Sequence, residues 1–215
     1  HGLIRWTTAG SDADTAVGYC LLIPDVGQAA PAGGAVIRYL PAGGLQSETG
    51  LPFLPLTSSS GTYWEIGPDL NTGIALVNPS DREQQISLQL FVRDGNEQVR
   101  RTQVTVVAGG HTAKFLTELF SGLPAASRGY LRIGAPAPCG FLPLRMRTTS
   151  RGVIFSSLLL GSLAAVGDRL LPQVVNGGGY RTQFIIANPG DLTSSGRISF
   201  YNPAGAPARL LLRRP

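Results

Sequence analysis

The sequence predicts an all-β protein of tandem β-sandwich units with one short helix, and three observations lead to this fold class. Apolar and polar residues alternate in several short segments, as they do in strands that bury one face. Turn-forming residues separate these segments at intervals of roughly 8–12 residues, which is typical of sandwiches. The chain also repeats itself with a period of about one small domain.

The longest repeat joins two ungapped segments in the middle and at the end of the chain. Residues 72–96 match residues 182–206, and both copies carry an Asn-Pro dipeptide, at Asn78 and at Asn188. Because Asn-Pro is a turn signal, we predict equivalent strands that end at these two asparagines.

A second repeat has a slightly larger offset. Residues 34–37 match residues 151–154, and Pro55 to Tyr63 is aligned with Pro172 to Tyr180. The two offsets differ by seven, and we interpret this difference as one loop, Trp64 to Leu70, that only the first copy contains.

The repeats divide the chain into three predicted units. Residues 58–161 form a complete sandwich unit. Residues 1–57 correspond to the second half of a unit, since Gly2 to Arg5 resembles Gly129 to Arg132, and residues 162–215 correspond to the first half.

Half of a sandwich exposes an apolar sheet face and unpaired strand edges, which are costly in water. The sequence leaves three outcomes open. The chain is a window on a longer array, the two halves close on each other within one chain, or the C-terminal half of one molecule completes the N-terminal half of the next.

The clearest strand has four apolar residues on one face, Ile86, Leu88, Leu90 and Val92. The segment from Arg93 to Asn96 has Asp-Gly at its centre and predicts a hairpin turn. Val99 to Val107 is then the return strand, with Val104 and Val106 facing inward. Later strands are predicted at 130–133, 140–147 and 152–160.

One short helix is predicted at about residues 111–121, with Thr112 as the N-cap and Gly122 as the stop signal. Its apolar stripe has helical spacing and comprises Phe115, Leu116, Leu119, Phe120 and Leu123. We expect this helix to plug one end of the sandwich by core packing.

These motifs together carry a family resemblance. A strand ending in Asn78-Pro79, a hairpin with Asp94-Gly95, Ala108-Gly109-Gly110 before the helix, and Gly-Tyr-Leu-Arg-Ile at 129–133 resemble immunoglobulin-like β-sandwich repeats of large exported bacterial proteins. The resemblance covers essentially the whole chain. It implies an extracellular or cell-surface location and a structural or adhesive role, and it implies no catalytic residue.

Charge and hydropathy argue against two classes of partner. The net charge is +5, and arginine supplies 17 of the 18 basic residues, with Lys114 as the exception. These arginines are scattered rather than clustered among aromatic residues, so nucleic acid is not an expected partner. No run approaches the roughly 18 apolar residues of a membrane span.

Enzymatic chemistry is not indicated, and we expect the protein not to be an enzyme. His1 and His111 are the only histidines, and neither lies in a recognisable Ser-His-Asp pattern or near a Gly-x-Ser-x-Gly elbow. The glycines at 177–179 precede a predicted strand rather than a helix, so they do not predict a phosphate-binding loop.

Three weaker signals remain. Asp12 and Asp14 form an Asp-x-Asp pattern that is interpreted as a turn, with a calcium site as the alternative, and no other cofactor is expected. Trp64 is interpreted as packing at the edge of the core, and the alternative is that Tyr63 and Trp64 are exposed rings for a sugar or a protein partner. Cys20 and Cys139 are interpreted as buried thiols, with a bridge between them left open.

The function expected from these observations is that of a non-enzymatic structural or adhesive repeat module of an extracellular bacterial protein. Its expected partners are itself or neighbouring repeats, through complementary half-domains that build a filament or surface layer, and also glycans or other surface proteins. The alternative is a carbohydrate-binding accessory module that uses exposed aromatic residues near Tyr63 and Trp64.

Overall fold

A computed structural model describes residues 3–10, 14–93, 97–161, 167–188, 195–210 and 212. Within these ranges the fold is all-β, with antiparallel pairing throughout. The strands are β1 (Gly34–Tyr39), β2 (Ser47–Pro52), β3 (Thr57–Ile66), β4 (Leu70–Val77), β5 (Gln84–Arg93), β6 (Glu97–Val106), β7 (His111–Phe115), β8 (Ser127–Thr149), β9 (Gly152–Ser157), β10 (Phe200–Tyr201) and β11 (Pro207–Ala208). One helix, α1 (Leu116–Leu119), and one 3₁₀ turn (Pro41–Gly43) accompany them.

Strand β8 connects two curled sheets that enclose one core. Its first part, residues 127–134, pairs with β3 on one side and β5 on the other, and β6 pairs with the far edge of β5. Its second part, residues 140–149, pairs with β4 and β9, and β7 pairs with the far edge of β4. The strand orders are therefore β3-β8-β5-β6 and β7-β4-β8-β9, an arrangement that fits a β-sandwich.

The predicted separate strands at 130–133 and 140–147 are wrong in one respect, because both belong to the single 23-residue strand β8. The residues between them include Pro136 and Pro138, whose fixed φ favours extended backbone. Neither proline has an N–H to pair at the crossing, and the N–H of Ala137 is satisfied by Oε1 of Gln84 at 3.0 Å. The chain thus passes between sheets without a turn.

The core confirms the predicted inward faces. The four alternating residues of β5 are 0–3% exposed, Val106 of β6 is buried, and Val104 packs against the same cluster. From β8, Leu131 and Ile133 face these residues and are fully buried. The pairing of Arg93 with Glu97 confirms the β5–β6 hairpin, although its Asp94-Gly95 turn lies outside the described residues.

The predicted helix at 111–121 is mostly wrong. Residues 111–115 form β7, which pairs with β4 from His111 opposite Val77 to Phe115 opposite Gly73. Only one turn of helix follows, because the backbone ladder to β4 outweighs the local helical spacing. Thr112 is therefore not the N-cap, and the N–H at the helix start, that of Phe115, is bonded by the Glu118 carboxylate at 2.6 Å.

The apolar stripe of this region nevertheless packs as expected. Leu116 is 0% exposed and Phe120 is 5% exposed, and Leu119 and Leu123 pack against the same core. Gly122 has a φ of 64°, the left-handed conformation that glycine adopts without a Cβ penalty. The core-packing interpretation of the helix is confirmed.

The turn between β3 and β4 corrects the expected seven-residue loop. Gly67 and Leu70 exchange two backbone hydrogen bonds of 3.0 and 3.2 Å, and Gly177 and Tyr180 exchange two of 3.1 and 3.0 Å. The two pairs are related by the same offset as Asn78 and Asn188, so the second copy does contain an equivalent of Trp64 to Leu70. The match of residue types does not reveal this turn because different residues form it in the two copies. The seven extra residues of the first copy therefore lie upstream of the turn.

The segments on either side of residues 57–161 contain little regular structure. In the N-terminal segment β1 and β2 form a hairpin, and residues 3–10 and 14–33 contain no assigned strand. In the C-terminal segment β10 and β11 form a two-residue ladder, and the strand predicted to end at Asn188 is not formed. The division into units 1–57, 58–161 and 162–215 stays a prediction.

Candidate interaction surfaces

Exposed apolar side chains are concentrated in the two flanking segments. Between Thr57 and Val153, the large hydrophobic residues that are exposed in the described part of the chain are Val99 and Val107. On the N-terminal side Ile4 is 71% and Trp6 is 84% exposed, and on the C-terminal side Ile186 is 74% exposed. The two flanking segments therefore expose more large apolar side chains than residues 57–153 between them.

The total surface leads to the same conclusion. The chain has an accessible surface of 16156 Å², whereas a compact monomer of this length exposes about 9,500 Å². The excess arises because the flanking segments do not pack into a core of their own.

The outer edge of β9 is covered by side chains from the N-terminal hairpin. The hydroxyl of Ser47 accepts from the N–H of Phe155 at 2.8 Å, and that of Thr49 accepts from the N–H of Ser157 at 3.1 Å. Both hydroxyl-bearing residues are buried. Side chains thus occupy positions at which another strand would pair, which protects the edge.

The outer edge of β3 is closed in a similar way. Gly61 and Gly161 exchange two backbone hydrogen bonds of 3.0 and 2.7 Å, and the Thr62 hydroxyl donates to the carbonyl of Leu159. Further along, the Thr72 hydroxyl donates to the carbonyl of Glu65 at 2.9 Å and accepts from its N–H at 3.0 Å. The chain continues into its C-terminal segment along this edge.

Trp64 packs in the core, as the core-packing interpretation predicts. Its side chain is 0% exposed and belongs to the core, and its indole N–H donates to the carbonyl of Phe91 at 3.3 Å. On β3 it alternates with Thr62 and Ile66, so it points to the inner face of the sheet. Trp64 therefore offers no ring for stacking.

Tyr63 points to the opposite face and belongs to an aromatic row. It lies opposite Tyr130 on β8, which lies opposite Phe91 on β5, and all three rings are partly exposed. The guanidinium of Arg132 lies 5.3 Å from the centroid of the Phe91 ring, within cation–π range. Burial raises the pKa of Tyr63 and of Tyr130 above the ordinary value of 10.0, so both phenols are neutral at neutral pH.

Sequence reasoning missed Tyr130, Phe91 and Arg132 as neighbours of Tyr63. They lie far apart in the sequence, and only the register of β3, β8 and β5 brings them together. An ion pair borders the row, since Glu65 and Arg145 approach to 2.7 Å with both side chains mostly buried. This face therefore combines aromatic and charged groups.

The remaining predicted sites do not form a cluster. Asp12 lies outside the described residues, and Asp14 is exposed. In the described ranges no group of three or more His, Cys, Asp or Glu side chains comes together to hold a metal. Cys20 is exposed and Cys139 is buried; both are free thiols, so the interpretation of Cys20 as buried is wrong and the bridge between them is not formed.

The described residues include no helix long and apolar enough to cross a membrane.

The sequence matches no protein-family model and no curated protein. A crystal structure of Thermotoga maritima 1070 resembles part of it, with a TM-score of 0.39 and 12% identity. The similarity covers 48% of this chain and 93% of the other. A TM-score of this size supports no inference about fold or function.

Proposed function

We propose that this protein is a non-enzymatic structural repeat module of an extracellular or cell-surface protein, built from immunoglobulin-like units that associate through complementary segments. The observation that carries this proposal is the exposure of residues in the flanking segments whose sequence counterparts in the central unit are buried. Such segments are suited to completing one another.

The counterparts can be compared residue by residue. Ile4 and Trp6 correspond to Leu131 and Ile133, which are 0% exposed in β8, whereas Ile4 and Trp6 are 71% and 84% exposed. On the other flank Ile186 corresponds to Leu76, which is 1% exposed. The same sequence pattern is thus buried against neighbouring strands in the central unit and exposed in the flanking segments.

The free energy gained by burying these side chains is comparable to the free-energy cost of association. Full burial of one large apolar side chain contributes about 1.5–3 kcal/mol, so burial of Ile4, Trp6 and Ile186 contributes about 4.5–9 kcal/mol. Association costs about 4–15 kcal/mol in lost freedom. Stable complexes therefore also need the backbone pairing that would accompany this burial.

The surface location rests on composition and on the family resemblance. Only 14% of the residues are charged, a low fraction that is common in exported β-proteins. A direct test is protease digestion of intact producing cells, with a cytosolic protein as the control. Release of fragments of this protein from intact cells supports the location, and complete protection contradicts it.

Light scattering on a sizing column tests the associating role. Growth of the mass with protein concentration supports association, and a monomer at every concentration contradicts it. If the units are instead joined within one longer chain, the same light-scattering measurement is made on a chain of two consecutive repeats.

The aromatic row supports a second candidate function, carbohydrate binding. Tyr63, Tyr130 and Phe91 lie side by side on one sheet face, and such rings stack on sugars. A glycan array probed with the wild type and with Tyr63→Ala tests this role. Binding that Tyr63→Ala weakens supports it, and no binding by the wild type removes it.

A further inference from the structure

We propose that residues 3–6 of one copy pair antiparallel with residues 198–201 of a second copy, with Ile4 opposite Phe200 and Trp6 opposite Ile198. This inference rests on the proposed function and specifies the complementary strands and their register. It identifies the partner as a second copy of this chain.

The template for this pairing is the contact between β8 and β5 in the complete unit. There Leu131 lies opposite Leu90, and Ile133 lies opposite Leu88. Leu90 and Leu88 correspond to Phe200 and Ile198 in the longest repeat, and residues 129–132 correspond to residues 2–5. Because both repeats are ungapped here, the template fixes one register.

The inner faces of both segments are apolar and incompletely covered. Ile4, Trp6 and Ile198 are 71%, 84% and 48% exposed. On the receiving side the rings of Phe184 and Phe200 already lie 5.5 Å apart. One aromatic contact is therefore present in the C-terminal segment, which lacks the strand that β8 supplies to the central unit.

The outer faces also match. In the complete unit Arg132 lies over the ring of Phe91 at 5.3 Å. The counterparts of these two residues are Arg5 and Tyr201, and Tyr201 is 65% exposed. The proposed pairing would place a guanidinium and an aromatic ring in the same relationship between copies.

A second copy is proposed as the partner because the two segments are not paired with each other in the described part of the single chain. Residues 3–10 contain no assigned strand, and Ile4 and Trp6 are 71% and 84% exposed. The described pairing of Phe200 and Tyr201 is with Pro207 and Ala208, which leaves the other edge of β10 for a strand from a second copy.

A disulfide between copies tests the register. Ser199 corresponds to Gln89, which lies opposite Arg132, so Arg5 and Ser199 should lie opposite each other on the outer face. Opposed residues have Cα atoms about 4.5–5.5 Å apart, within disulfide range. We would therefore mix Arg5→Cys and Ser199→Cys variants, each in a Cys20→Ser background, under mild oxidation.

The control replaces Ser199→Cys with Ser195→Cys, which is four residues away along the strand and so about 13 Å out of register. We expect a covalent dimer in the Arg5→Cys and Ser199→Cys mixture, at least tenfold more abundant than in the control mixture. Each single variant alone should give at most a trace of dimer.

Three results would overturn the inference. If Arg5→Cys crosslinks equally well to Ser195→Cys while the solution mass shows association, the register is wrong and the proposed function still stands. A double variant Arg5→Cys/Ser199→Cys that forms only an internal disulfide shows closure within one chain. A monomer without crosslinks at every concentration contradicts both the inference and the proposed function.

Discussion

Thr72 and Thr182 make the same pair of hydrogen bonds at equivalent positions of the repeat. The Thr72 hydroxyl donates to the carbonyl of Glu65 at 2.9 Å and accepts from its N–H at 3.0 Å. The Thr182 hydroxyl bonds Val175 in the same two ways, at 2.9 and 3.1 Å. The local geometry of the repeat is therefore present in the C-terminal segment, even though the sheet that surrounds it in the central unit is not.

The two threonines differ in burial, which predicts different effects of removing the hydroxyl. Thr72 is 0% exposed, so Thr72→Val leaves the partly buried N–H and carbonyl of Glu65 without this partner. We expect a loss of about 1–3 kcal/mol in the free energy of unfolding, measured with urea. Thr182→Val, where Val175 is exposed, should cost less than about 0.5 kcal/mol. Equal losses would contradict this account.

Asn78 is a second structural determinant of the central unit. Its amide is fully buried and donates to the carbonyls of Arg82, Val106 and Val107, while its Oδ1 accepts from Ser80 and Gln84. A buried amide that uses its whole hydrogen-bonding capacity is expensive to remove.

We expect Asn78→Ala to lower the free energy of unfolding by about 3 kcal/mol or more, measured by urea denaturation. The matched control is Asn202→Ala, because Asn202 accepts from the N–H groups of Ala204 and Ala206 in an exposed turn. That change should cost about 1 kcal/mol or less. An unchanged free energy of unfolding in Asn78→Ala would contradict the structural role of this side chain.

The two tryptophans should report on different processes. Trp64 is buried in the core, and Trp6 is 84% exposed. In a Trp6→Phe variant the emission should be blue-shifted and weakly quenched by acrylamide at all concentrations. In a Trp64→Phe variant the emission should begin as that of exposed indole and shift to the blue as association buries Trp6. A concentration-independent Trp6 signal would contradict burial on association.

The cysteines should differ in reactivity. Cys20 is exposed and should react with a thiol reagent in the native protein, whereas Cys139 is buried and should react only after unfolding. Burial also raises the pKa of Cys139 above its ordinary value of 9.0. The unfolded state then releases this proton first, so stability should fall as pH rises through about 9. Cys139→Ala should reduce that fall, and an unchanged slope would contradict the assignment.

Strictly local patterns in the sequence predict part of this fold well. The alternation in β5 and the β5–β6 hairpin are local, and they are confirmed by burial and by the pairing register. The burial of Trp64 is also within reach of the sequence, because Thr62, Trp64 and Ile66 alternate with polar neighbours on β3. The interpretation of this segment as an inserted loop obscures that alternation.

Non-local pairing accounts for what the sequence does not predict. Residues 111–115 become a strand through their ladder to β4, which no local pattern records. The aromatic row of Tyr63, Tyr130 and Phe91 depends on the register of three strands that are distant in sequence. The capping of β9 by Ser47 and Thr49 depends on the position of the N-terminal hairpin.

The most direct test of the central claim is the solution mass of Trp6→Asp across a range of concentrations, beside the wild type and Val107→Asp. Val107 is 61% exposed on the complete unit and lies outside the proposed contact, so it is the matched control. The account predicts that the wild type and Val107→Asp grow in mass with concentration while Trp6→Asp stays monomeric. Growth of Trp6→Asp equal to that of the wild type would contradict association through these segments.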